Sequence, residues 1–95
     1  MRVISHRAIV KYGLKHSDAL PALDTWYRIT RRAGWKHFVD TRGDFPHADV
    51  VDDKTVFNIK GNTYRLTAWI NYRTQKVFIL GIMTHAEYDK GTWKR

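Results

Sequence analysis

Five residues between positions 58 and 88 are of the types needed to hold an RNA phosphate and move protons around it: Asn58, Lys60, Arg65, His85 and Tyr88. The planar fork of Arg65 can clamp phosphate oxygens, and Lys60 can add a point charge. A histidine is the side chain best suited to move protons near neutral pH, which makes His85 the candidate general acid or base. Asn58 can orient a sugar or a base. Tyr88 can stack under a base or reach a phosphate with its hydroxyl. Such a set would serve attack of an RNA 2′-OH on the adjacent phosphorus, leaving a 2′,3′-cyclic phosphate and a 5′-OH. Asn62, within the set, and Lys90, just beyond it, are added as RNA contacts.

A hairpin must position the first group. Gly61-Asn62 between two β-rich runs suits a two-residue type II′ turn, with glycine first because that position needs a positive φ. Lys60 then pairs with Thr63, Ile59 faces Tyr64, Asn58 faces Arg65 and Phe57 faces Leu66. Side chains alternate along a strand, so Lys60, Asn58 and Arg65 are expected on one face, and Phe57, Ile59, Tyr64 and Leu66 on the other. A solvated sheet face is the plain alternative for three polar residues. A helix start must position the second group. Thr84-His85-Ala86-Glu87 fits a capping box, which occupies Thr84 and Glu87 structurally. His85 and Tyr88, three apart, share one side of the first turn, beside N–H groups that favour an anion.

These residues carry a family resemblance. VFNIKGNTYRL (56–66), a Tyr-containing strand and then MTHAEYD (83–89) resemble the HigB toxins of type II toxin–antitoxin pairs, within the wider RelE-like group of mRNA interferases. WYRITRRAGWKHFVD (26–40) and FPHADVV (45–51) are also similar to that family, so the resemblance covers nearly the whole chain. It implies an α+β, RelE-like fold: N-terminal helices packed on a twisted, mainly antiparallel sheet, with a short C-terminal helix. It implies metal-independent cleavage of mRNA, usually in the decoding site of the ribosome. It also implies a partner that inhibits the toxin, typically a helix-turn-helix, HigA-like antitoxin. That His85 joins Arg65 rests on this resemblance, because a one-residue slip at the ambiguous Arg73-Thr74-Gln75 turn would swap the face presented near Thr84.

Composition agrees. Ninety-five residues make one domain, 1–95, that buries roughly 60–65% of its unfolded-chain surface. There is no cysteine, hence no disulfide or thiolate metal site. His6, His16, His37 and His47 have no metal-ligand spacing, and no metal or cofactor is expected. No apolar run approaches the ~20 residues of a membrane span, and the start lacks a secretory signal, so a cytoplasmic location is expected. The net charge of +8 and pI near 10.1 attract polyanions. The charges are scattered from Arg2 to the tail Lys90, Lys94 and Arg95, as on a folded basic surface. A basic RNA- or protein-binding module of the same fold, without catalysis, is the alternative.

Along the chain, residues 2–5 read as a first strand and His6 to Lys15 as a helix. Ser17 or Asp18 can cap a second helix that carries Pro21 in its first turn. Leu20, Leu23 and Tyr27, with Ala19, Ala22, Trp26 and Ile29, form its wide apolar face. Arg31-Arg32 suit its last turn, and Gly34 its end. Residues 35–47 read as a short helix or turn plus loop, and 49–51 as the start of the sheet. VFILGIM (77–83) suits a central strand. Trp26, Trp35, Phe57, Tyr64 and Trp69 are assigned to the core. GTWKR, at the end, matches no pattern.

Overall fold

The computed structural model describes residues 1–94; Arg95, counted above with the basic tail, lies outside them. The chain order is β1 (Arg2–Ile4), α1 (His6–Lys15), a 3₁₀ turn at Ser17–Ala19, α2 (Leu20–Arg32), α3 (Phe38–Asp44), β2 (Asp49–Val51), β3 (Lys54–Ile59), β4 (Tyr64–Asn71), β5 (Lys76–Thr84), α4 (His85–Lys90) and a 3₁₀ turn at Thr92–Lys94. The five strands form one sheet in the order β1-β5-β4-β3-β2. β1 runs parallel to β5, and every other pairing is antiparallel. This is the α+β arrangement expected, helices on a mostly antiparallel sheet. No described helix is long and apolar enough to cross a membrane.

The β3–β4 hairpin has the register that the Gly61-Asn62 turn dictates: Ile59 opposite Tyr64, Asn58 opposite Arg65, Phe57 opposite Leu66. Gly61 takes φ 63°, and the Thr63 amide donates to the Lys60 carbonyl at 3.2 Å. Phe57, Ile59, Tyr64 and Leu66 are buried, together with Ala68 and Ile70 further along β4 and with Ile9, Leu23 and Trp26 from the helices. Phe57 is the hub of the aromatic packing, with Trp26 at 5.4 Å, Phe45 at 5.1 Å and Trp35 at 6.4 Å between ring centroids. The opposite face carries Asn58, Arg65, Thr67, Trp69 and Met83. β5 holds one extra residue there: Thr67 pairs with Gly81 but Ala68 with Ile79, which leaves Leu80 bulged and exposed.

Three expectations are corrected. Ser17 and Asp18 do not cap α2. They form the 3₁₀ turn, and α2 begins at Leu20 without a side-chain cap, with Pro21 in its first turn. Gly34 does not close α2 in a left-handed conformation. Ala33 leaves the helix extended, and the Met1 ammonium donates to the Arg31 and Ala33 carbonyls, so a chain terminus caps the helix end. Trp69 is not core: it is 39% exposed on the outer sheet face, beside Phe78 at 5.4 Å.

Candidate functional site

Arg65 stands on β4, between Asn58 on β3 and Met83 on β5, on the sheet face opposite the core. Although on the outer face, it is only 8% exposed. Nη1 donates to the carbonyls of Asn62 and Tyr64, both at 3.1 Å, and Nη2 donates to Asn62 Oδ1 at 2.5 Å. The Tyr88 ring lies 5.3 Å from Cζ, a cation–π contact. Fixing the fork this way costs it donors on one side but leaves Nε–H and an Nη2 proton without a described protein partner. A guanidinium held like this loses little entropy on meeting an anion. Asn62 therefore holds Arg65 within the protein.

The capping box at α4 forms as expected. The Glu87 amide donates to Thr84 Oγ1 at 3.2 Å, and the Thr84 amide donates to Glu87 Oε1 at 2.9 Å. Gly91, at φ 74°, closes the helix. The His85 amide donates to the Thr63 carbonyl at 3.0 Å, which ties the helix start to the same turn that holds Arg65. The His85 imidazole meets Asp89 one helical turn on, Nδ1 to Oδ2 at 2.9 Å. With Nδ1 donating to that carboxylate, Nε2 is the nitrogen left for a substrate. Tyr88 is not an open stacking platform. Trp93 stacks on its ring at 4.8 Å and 15°, and Trp93 Nε1 donates to the Tyr88 carbonyl at 2.8 Å. Lys90 is exposed in the last turn of α4.

Lys60 departs from its expected place. It takes φ 54°, which breaks the strand alternation, and its side chain goes to the helix side of the sheet. There Nζ donates to Asp18 Oδ2 at 2.9 Å. The Tyr64 hydroxyl donates to the same carboxylate at 2.8 and 2.9 Å. These bonds, the one from Lys60 first, hold the Asp18 carboxyl below the usual carboxylate range. Burial pushes the Tyr12 hydroxyl up to about 12, helped by the charges of Glu87 and Asp18 and by Tyr64, and the bond to Asp18 raises Tyr64. Both phenols stay protonated at neutral pH and are excluded as bases. The geometry thus gathers Asn58, Asn62, Arg65, His85 and Tyr88 around one turn and one helix start, and leaves Lys60 out.

Four contributors escape a reading by motif. Asp89 is the i+4 partner of His85, so helical spacing alone could have found it. Trp93 gives no periodic signal. Asp18 reaches the turn behind the site from 42 positions away along the chain, which no local pattern reveals. His47 lines a cavity of about 210 Å³ with Asn58, Gly61 and Pro46, beside the site. A larger groove, lined by His6, Ser17, Asp24 and Arg28, lies among the N-terminal helices and holds none of this chemistry. Within the site itself, Asn58 and the His85 side chain are open to solvent, whereas Arg65 is nearly buried.

The capping box gives a first expected result. Glu87 is held below its ordinary range, first by the bond from the Thr84 amide and then by the Thr84 side chain. A depressed carboxylate contributes stability above its ordinary pKa and loses it as pH falls through the folded value. The protection factors of the His85 and Glu87 amides, with exchange corrected for its intrinsic slowing in acid, should therefore fall as the solution is acidified through the carboxylate range, ahead of those in β4. Thr84→Ala should give the same local opening at neutral pH, at about 1 kcal/mol. Equal protection of both amides in Thr84→Ala and wild type would contradict the cap.

Helices packed on a mostly antiparallel five-stranded sheet, with a short C-terminal helix, make an α+β, RelE-like fold. Residues 19–91 match the family described as HigB toxin, RelE-like toxic component of a toxin-antitoxin system. The mRNA interferase toxin HigB of Escherichia coli strain K12 is 42% identical over 92 residues, covering 94% of this chain and 88% of the relative. The mRNA interferase HigB of Escherichia coli O6:H1 is 30% identical over 95 residues, covering 97% and 92%. The chain belongs to the HigB toxin family.

Proposed function

We propose that this toxin is an endoribonuclease that cleaves mRNA at the surface between Arg65 and His85, on the ribosome, without a metal. The observation that carries the reading is the juxtaposition at one turn of an arginine fork fixed by Asn62 and a histidine oriented by Asp89, in a chain similar to proteins named mRNA interferases. The scissile phosphate lies over the outer sheet face. The 2′-OH loses its proton and attacks phosphorus, the bond to the 5′-oxygen breaks, and that oxygen takes a proton. Arg65 neutralises charge on the non-bridging oxygens through its unused donors. His85 Nε2 performs one of the two proton transfers. Asn58, exposed and opposite Arg65, contacts the sugar or base, and Lys90 contacts the backbone further along.

Tyr88 contributes mainly by packing Arg65, since its ring is taken by Trp93. Lys60 reaches RNA only by leaving Asp18. One partly exposed histidine and one nearly buried arginine are sparse equipment for a free nuclease. The ribosome supplies what is missing by holding the mRNA in an attack-ready geometry. A cytoplasmic location follows from that substrate. The antitoxin is a helix-turn-helix protein that covers or crowds this basic face. Induced expression of the chain alone should arrest growth and cut translated transcripts, read by primer extension, and co-expression with the cognate antitoxin should restore growth. Arrest with intact mRNA would leave the non-catalytic binding module as the better description.

A further inference from the structure

We infer that Asp18 is a positioning residue for RNA cleavage, acting from the opposite side of the sheet by fixing the Lys60–Thr63 turn. The inference rests on the site proposed above and adds a residue to it. Asp18 bonds both ends of that turn: Lys60, its first residue, and Tyr64, the residue just after it. Between these anchors lie the two groups on which the site depends. The Asn62 carbonyl and side chain hold the Arg65 fork, and the Thr63 carbonyl holds the His85 amide.

The turn needs such a restraint. Lys60 and Gly61 both have positive φ, at 54° and 63°, and for a lysine that conformation is strained. All four turn residues are exposed, so packing does not hold them. Asp18 itself is well placed to act as a fixed point. Its 3₁₀ turn is anchored by the buried Ala19, and the Tyr64 ring that meets it is wedged edge-on against Tyr12 at 5.9 Å and His16 at 5.7 Å. Asp18 lies inside the 3₁₀ turn, one residue ahead of Ala19 at the N-cap of α2, and its side chain points to the hairpin. The same pairing accounts for Lys60: its ammonium serves the turn and not the phosphate.

The test measures single-turnover cleavage of ribosome-bound mRNA, with the saturating rate separated from the half-saturation concentration, and amide exchange in the free full-length protein. Asp18→Ala should lower the saturating rate about ten- to a hundredfold, the scale of a small misplacement, with half-saturation unchanged. The His85 amide should exchange faster while Leu66 stays protected. Asp18→Asn, which keeps an acceptor for Tyr64 but loses the ion pair, should fall between Asp18→Ala and wild type. Lys60→Met should also lower the rate and not raise the half-saturation concentration. A wild-type rate in Asp18→Ala overturns the inference, as does a lost rate with the His85 amide fully protected. So does a Lys60→Met variant whose only defect is weaker binding. Arg65→Ala and His85→Ala in the same assay separate the two claims. Should both cleave like wild type, the site itself is misplaced and Asp18 loses its positioning role with it. An active Asp18→Ala beside two inactive site variants sinks the Asp18 inference alone.

Discussion

Arg65→Ala is expected to lower the cleavage rate roughly 10²–10³-fold, the usual cost of removing one donor that meets developing charge. Growth arrest on induction should disappear with it. The effect is argued from geometry. Asn62 and Tyr64 take one side of the fork, Tyr88 packs against it, and the remaining donors have no protein partner among the described residues. A side chain fixed this firmly, with donors to spare, is pre-organised for an anion. Arg65→Lys is the sharper variant. It keeps the charge and loses the planar fork, so it can neither span Asn62 nor present two donors to phosphate. It should recover little of the rate. Full recovery by lysine would mean that Arg65 acts as a simple charge, and the clamp would be abandoned. His85→Ala should cost roughly 10²–10⁴-fold, as expected for loss of a proton-transfer group. Asp89→Asn should cost less, since it leaves the imidazole in place.

The parts of this site that were legible in the sequence are those controlled by neighbours in the chain. A two-residue turn fixes pairing by counting, so Gly61-Asn62 placed Asn58 opposite Arg65 and sent Phe57 and Leu66 inward. A capping box is written in four consecutive residues, so Thr84 and Glu87 declared the start of α4. Long-range choices were not legible. The pairing of β1 with β5 joins Arg2 to Lys76, and nothing local specifies it. Lys60 was misplaced because alternation assumes an extended backbone, whereas an aspartate far up the chain stabilises it at positive φ. Trp69 was misplaced because an aromatic on an alternating strand is usually buried. Here Phe78 is its neighbour on the outer face, and Trp69 stays 39% exposed. Trp93 shows the opposite case: a tail residue without any pattern packs against the tyrosine that supports Arg65.

The largest stability effect should come from the other face of the same strand. Leu66, next to Arg65, has no exposed surface and points into the core between Phe57 on β3 and Ile82 on β5. Leu66→Ala removes a buried side chain and leaves a hole that a sheet, held by hydrogen bonds on both sides of β4, cannot close. The cost should be about 2–5 kcal/mol. For a chain of this size that lowers the melting temperature by on the order of 10 °C or more. Since small proteins have roughly 5–15 kcal/mol in hand, the variant should still fold in the cold and cleave at a near-normal rate while folded. Arg65→Ala should do the reverse, losing cleavage while most of the melting temperature remains. Its cost should be smaller than that of the core cavity, because Asn62 is exposed and water takes the place of the guanidinium on its carbonyl and side chain. Thermal melts and cleavage assays on the two purified variants decide the matter together. A stable but inactive Leu66→Ala beside an unfolded but otherwise competent Arg65→Ala would invert the faces of β4, and with them the site.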